Sequence, residues 1–257
     1  MAEFYAKASA RYQFERPAED LVKWLKIAKG ERILDIGSGT GTVAFAARRA
    51  VGPSGLVVGL DGSIEMLKRQ HIDNRISTVA WIPDLPFVND VFDAVSAGFV
   101  LSHFADYAAA LRQINRVLQP QGRLGVTAWG SGTPRVSEVW KSAMERFVNI
   151  KVVQQEFARI IPWDELFSES IPVSEAFKTA GFIDVKAETK EYLISIEPHQ
   201  YVAMKTGSIE GTIVRNNLNE EGWKEFLKHL NFILLEQFPG GIEYTRKVHF
   251  ISGRKPA

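Results

Sequence analysis

The run Asp35-Ile36-Gly37-Ser38-Gly39-Thr40-Gly41 most constrains what this chain can fold into. It follows the short apolar segment Arg32–Ile36 and precedes the alanine-rich stretch Thr42–Ala50. The first reads as a buried strand and the second as a helix. Glycines between them let the backbone turn sharply and approach a ligand closely. The helix behind offers free N–H groups and a positive dipole end. In an open α/β sheet, such a loop at a strand's carboxyl end is a ligand site. The plain alternative is an ordinary strand-to-helix turn.

The spacing narrows the ligand. A dinucleotide loop would read Gly-x-Gly-x-x-Gly, whereas here the glycines fall at 37, 39 and 41. Asp35, two residues before the first glycine, would repel a pyrophosphate but suits a ligand bearing an ammonium group. Asp61 closes the next apolar segment, Leu56–Leu60. A carboxylate there can accept two hydrogen bonds from a ribose diol.

Further strands are expected at 76–82, 92–97, 123–129, 184–196 and 244–252, and helices at 4–28, 63–70, 107–118, 198–206 and 219–237. Ser63 is the expected N-cap of the second helix of that set. Strands alternating with helices predict a doubly wound sheet covered on both faces. After the Gly/Ser/Thr/Pro turn at 130–134 the chain becomes helical and aromatic-rich to about residue 181. The expected organisation is an N-terminal helical cap over 1–29 and a sheet domain over 30–257. Helical lids are expected as insertions at about 130–180 and 197–218, not as an independent domain.

Composition excludes several classes. With 257 residues, 46% of them hydrophobic and 24% charged, the chain can bury a sizeable core. The 31 basic and 30 acidic side chains leave a net charge of +1, which gives no electrostatic reason to expect a nucleic-acid partner. There is no cysteine, which removes disulfides, thiolate zinc sites and cysteine nucleophiles. No metal site is expected. No apolar run is long enough to insert in a membrane, and residues 1–7 do not read as a signal peptide. A cytoplasmic protein, monomeric or homodimeric, is the expectation.

Five stretches together resemble the class I S-adenosylmethionine-dependent methyltransferases, in the small-molecule branch that includes the ubiquinone and menaquinone methyltransferases. They are Ile33–Gly41, Gly59–Leu67, Leu85-Pro86-Phe87, Phe92–Val95 and Arg116–Leu124, in family order and spacing. The resemblance is strong over residues 30–130 and looser over 180–257. It implies a Rossmann-like, seven-stranded sheet ending in an antiparallel hairpin, with S-adenosyl-L-methionine as cofactor. By that likeness Asp35, Gly37, Ser38, Gly39 and Gly41 carry the methionine part, Asp61 and Gly62 the ribose, and Met66 packs near the adenine. The implied activity is in-line methyl transfer to an apolar small molecule, a quinone-like phenol or natural product. The alternative is a methyltransferase-like protein that binds the cofactor but catalyses a reaction such as cyclisation, or serves as a binding module.

The chain departs from the family at two places. Four residues before Leu85, where an acid or amide usually accepts the adenine amino group, stands Trp81, followed by Ile82. Three readings are open: Trp81 stacks on the adenine, Asp84 takes over, or Trp81 is core and the site is weakened. Gly98 stands where the family often has Ser or Asn, so only its backbone can contribute.

The reaction needs alignment more than a metal, and a general base helps at an acidic acceptor. His103, just past the fourth strand, is the first choice; the competing reading is a capping or packing histidine. His199 begins a lid helix and is a weaker choice. His71 and His229 read as solvated, and His249 as outward-facing on the last strand. Trp129, Trp140 and Tyr12 are the expected substrate-pocket residues; Tyr5 and Tyr12 could also close over the cofactor from the N-terminal helix, the alternative being simple packing on the sheet edge.

Overall fold

A computed structural model describes residues 10–70 and 76–257. Seven strands form one sheet: β1 (Arg32–Ile36), β2 (Leu56–Asp61), β3 (Ile76–Val79), β4 (Phe92–Gly98), β5 (Leu118–Trp129), β6 (Ile183–Ile196) and β7 (Ile242–Arg254). Their order is β3-β2-β1-β4-β5-β7-β6. The first five run parallel, and β7 runs antiparallel to β5. This is the Rossmann-like sheet with an antiparallel end expected from the sequence. Strand order reverses between β1 and β4, and that is where doubly wound sheets bind ligands.

Eleven α-helices stand among the described residues: α1 (Glu15–Trp24), α2 (Thr42–Val51), α3 (Ile64–Lys68), α4 (Tyr107–Val117), α5 (Arg135–Phe147), α6 (Ile150–Ile160), α7 (Asp164–Phe167), α8 (Ser170–Thr179), α9 (Pro198–Thr206), α10 (Ile209–Asn216) and α11 (Glu220–Gln237). A π-helical turn, Ala10–Phe14, leads into α1. Ser63 caps α3 as expected, accepting from the Met66 amide at 3.3 Å, and Asp106 does the same for α4 through Ala109 at 2.8 Å.

The elements differ from the sequence expectation in four places. β3 stops at Val79, because its last pairing partner, Asp61, ends β2. β5 starts at Leu118, because Gln119–Gly122 forms an irregularity inside the strand, with Gln121 in the left-handed region. Helix α10 lies in a stretch that carried no helix assignment. The first helix ends at Trp24, and Lys26 turns left-handed just beyond it. Residues 1–9 of the expected cap lie outside the described residues, as do Tyr5 and His71.

The chain divides into two compact units. The sheet unit comprises Phe14–Gly130, Trp163–Lys190 and Val248–Ala257. Its central strand β1 buries Ile33, Leu34 and Ile36 completely, as expected of a parallel strand covered on both faces. The helical unit comprises the segment up to Gln13, Ser131–Pro162 and Glu191–Lys247. It has a core of its own around Trp140, Met144, Tyr201, Trp223 and Phe226. Lid insertions were expected at about 130–180 and 197–218; residues 163–190 instead pack with the sheet, through Phe167, Val173, Phe177 and Phe182.

Phe226 is fully buried and its ring meets Trp140, Phe147 and Trp223 at centroid distances of 5.5, 5.7 and 5.4 Å. Phe226→Ala should lower unfolding free energy by about 3–5 kcal/mol in urea denaturation, from lost burial plus a cavity. Phe232, on the same helix but 64% exposed, is the control, and its alanine variant should stay within about 0.5 kcal/mol of wild type.

Candidate active site

The glycine loop takes a left-handed shape that only glycine adopts freely, and it is well braced. Gly37, Gly39 and Gly41 all have positive φ, at 64°, 52° and 91°. A side chain on Gly37 would drive into Val100, whose Cγ2 lies 2.4 Å from where the Cβ would stand. The Ser38 amide donates to Leu60 O at 3.0 Å and the Gly41 amide to Ser38 O at 2.8 Å. The Gly39 amide donates to Asp61 Oδ2 at 2.8 Å. Asp61 Oδ1 accepts from the Ser63 amide, also at 2.8 Å. One carboxylate at the end of β2 therefore ties the loop after β1 to the start of α3. Each of its oxygens keeps a further lone pair.

Asp35 lies in β1 opposite Ser96 of β4 and is almost fully buried. Ser96 Oγ donates to its Oδ1 at 2.7 Å, while Oδ2 has no hydrogen-bond partner. Burial pushes its pKa up to about 7; the Ser96 bond and the Ala44 amide act against that rise. A carboxyl in this setting keeps its proton up to about neutral pH and is more readily charged beside a cation.

On the other side of Asp61, the Trp81 ring lies against Gly62. A Cβ on Gly62 would stand 3.1 Å from the indole carbons. Trp81 is 76% exposed, so it is not a core residue. Ile82 instead packs against the core of the sheet unit. Met66 Cε reaches 3.5 Å from the position of a Cβ on Gly39. Gly98 is crowded by α2: a Cβ there would be 3.1 Å from Val43 Cγ2 and 3.7 Å from Thr127 Oγ1. The serine or asparagine common in the family would not fit here without a shift of Val43.

The structure brings three rings together that the sequence does not pair. Phe14, Phe99 and Trp129 cluster at the carboxyl ends of β4 and β5. Phe99 stacks on Trp129 at 4.2 Å, and Phe14 lies 5.3 and 5.8 Å from the two. Phe99 sits in the left-handed region at φ 55°, a rare conformation for a bulky residue. Its position directly after Gly98 at a strand end was the available signal; Phe14, from a distant helix start, gave none. Beneath Trp129 on the same face of β5, the Thr127 hydroxyl is buried and has no hydrogen-bond partner.

His103 ends a short 3₁₀ turn, Leu101–His103. Partial desolvation lowers its pKa below the usual histidine value, and the Asp61 carboxylate pulls it the other way. His249 is corrected: it is buried rather than outward-facing. Its Nε2 donates to Ser168 O at 2.8 Å, and its Nδ1 accepts from Thr189 Oγ1 at 2.7 Å. A carbonyl can only accept, which fixes that tautomer for the neutral ring. Trp140 is also corrected. It was expected in the substrate pocket but is core of the helical unit, 1% exposed, with Nε1 donating to Glu210 at 2.7 Å and Lys205 over its ring. Tyr12 belongs to the helical unit and donates its hydroxyl to Gln200 at 2.9 Å. His199 is exposed, and His229 lies beside Phe147. No cluster of metal-ligating side chains occurs among the described residues.

Residues 34–126 match the family described as methyltransferase domain. A demethylmenaquinone methyltransferase of Geobacillus sp. (strain WCH70) is 30% identical over 202 residues, covering 69% of this chain and 81% of that one. This chain belongs to the class I S-adenosylmethionine-dependent methyltransferases. The demethylmenaquinone methyltransferase of Staphylococcus carnosus (strain TM300) is 40% identical over 107 residues, 40% of this chain and 44% of that one. Phosphoethanolamine N-methyltransferase 2 of Haemonchus contortus, solved with phosphomonomethylethanolamine and S-adenosylhomocysteine, has the same fold. It aligns with a TM-score of 0.59 at 19% identity, over all of this chain and 57% of that one. The enzyme uses S-adenosylmethionine to methylate a small molecule. The alternative of a relative that binds the cofactor without transferring methyl groups is not favoured.

The raised Asp35 pKa makes a signed prediction for the methyltransferase without cofactor. Its carboxyl keeps a proton in the folded state up to about pH 7 and loses it in the unfolded chain near 3.8. Folding stability is therefore lost as pH rises between those values, and the deficit is complete above 7. Asp35→Asn should raise stability by about 1–3 kcal/mol at pH 8 and by far less at pH 4.5. Chemical denaturation of both proteins across that range checks it; parallel pH profiles would contradict it.

Proposed function

We propose that this methyltransferase acts on a planar, apolar acceptor carrying a ring hydroxyl or an enol, of the quinone-precursor kind that the names of its curated relatives indicate. The observation that carries this reading is the aromatic cluster Phe14–Phe99–Trp129 at the ends of β4 and β5. Small-molecule sites are mostly apolar with a few placed polar groups, and half-buried stacked rings suit another ring.

The residues of the loop fit the cofactor. The free lone pairs of Asp61 would take the ribose hydroxyls, and Asp35 would become charged opposite the ammonium group. Trp81, exposed beside Gly62, would give the adenine a face to stack on. S-adenosylmethionine supplies an electrophilic methyl group on a sulfonium when bound. The enzyme's share is then alignment, exclusion of water and removal of the acceptor's proton. His103, with its pKa lowered by desolvation, is neutral at pH 7 and can take that proton on a ring nitrogen.

Four measurements test the assignment. By calorimetry, Asp61→Ala should weaken S-adenosylmethionine binding roughly 10–100-fold, the cost of losing a charged hydrogen-bond acceptor, and Trp81→Ala about 3–10-fold. With isotope-labelled methyl groups, transfer should reach phenolic and quinol acceptors before polar amines. Trp129→Ala should raise the KM for such an acceptor while leaving cofactor affinity within about twofold; an unchanged KM would remove the aromatic cluster from acceptor binding. His103→Gln at saturating cofactor should slow transfer about 10–100-fold and abolish the acid limb of the rate profile, which in wild type lies below pH 6.5.

A further inference from the structure

Gln70 lies just beyond α3 and is almost fully buried, which is rare for a side-chain amide unless it is fully bonded. Its Nε2 donates to Ser38 Oγ and to Gly39 O, each at 2.9 Å. Its Oε1 accepts from Ser77 Oγ at 3.0 Å. Ser77 stands on β3 directly opposite Gly59 on β2. Gly59 has ordinary backbone geometry, so its glycine answers a need for space. A Cβ there would stand 2.9 Å from Ser38 Oγ and 3.4 Å from Gln70 Nε2. The missing side chain of Gly59 is the slot in which the amide and the hydroxyl meet.

We propose that Gln70 is a positioning residue for the cofactor loop, the centre of a buried relay from Ser77 through Gln70 to Ser38 and Gly39. The geometry explains why a loop with three left-handed glycines holds one shape. Asp61 grips the Gly39 amide from one side, and Gln70 grips the carbonyl of the same residue from the other. With both polar groups of Gly39 engaged, the peptide planes around it cannot rotate freely. Gln70 touches no reacting atom in this scheme; it acts through the backbone of Ser38 and Gly39. The relay also joins the loop to β3, the strand that leads toward Trp81. The inference rests on the cofactor lying along this loop.

The test is S-adenosylmethionine binding by calorimetry, with the wild-type affinity as the control for that premise. Gln70→Glu keeps the shape but replaces the donating NH2 with an oxygen. Ionised, it faces Gly39 O with like charge; protonated, it can donate one bond again. Its affinity relative to wild type should fall about tenfold at pH 8 and return to within about threefold at pH 5.5. Gln70→Leu should show a loss of about tenfold in the same ratio at both pH values. Thermal unfolding of both variants reports packing separately. Should either fail to fold, Ser77→Ala, which only releases the far end of the amide, should weaken binding about two- to fourfold. Wild-type-like affinity in Gln70→Leu, or in Ser77→Ala where it is the variant used, overturns the proposal, as does a Gln70→Glu ratio that does not move with pH. Failure of the wild type itself to bind would count against the placement of the cofactor, not against the relay.

Discussion

The grip of Asp61 on two backbone amides organises the glycine-loop half of the sheet. One carboxylate at the end of β2 fixes the Gly39 amide in the loop after β1 and the Ser63 amide at the head of α3. Charge-assisted bonds of this kind are stronger than neutral ones. The Gly39 amide is turned to Asp61 and its carbonyl to Gln70. All three loop glycines have positive φ, and the closeness of Val100 to Gly37 leaves no room for any larger residue there.

The glycine loop and the carboxylate that braces it are legible in the sequence because they are local. β1, its glycines and α2 are consecutive, and Asp61 closes the very next strand. Spacing alone can express such a site. The aromatic cluster could not be read in the same way. Phe14, Phe99 and Trp129 come from three distant segments, and only the closed sheet makes them neighbours. Trp140 shows the reverse error: an aromatic residue in a helical insertion looks the same in sequence whether it lines a pocket or fills a core. Its Glu210 and Lys205 partners lie some 65–70 residues away and decide the matter. His249 alternates with apolar neighbours and so suggested an outward face, yet Ser168 and Thr189 cover it. Gln70 left no trace in spacing, since its task appears only once Gly59 has opened a slot beside it.

Electrostatics divides the site by burial. Among the described residues no ion pair to Asp35 occurs, and burial holds its proton to about pH 7. His103 is desolvated in part and is held neutral. Desolvation thus favours the uncharged form of both groups. The carboxyl is left able to answer an incoming cation, and the imidazole is left able to accept a proton. Two ordinary side chains acquire distinct tasks from their surroundings alone.

The strand order has a consequence for how this enzyme can change. The loop anchors sit at β2 and β3, and the aromatic cluster sits at the ends of β4 and β5, with β1 between. From β2 to β4 is two strand spacings and to β5 three, about 10 and 14 Å, at or beyond the range within which substitutions usually interact. Changes to the rings and changes to the anchors should therefore combine additively in free energy. New acceptors can be sampled at one end of the sheet while cofactor affinity at the other stays untouched. The reversal of strand order thus separates inheritance of the cofactor from divergence of the substrate.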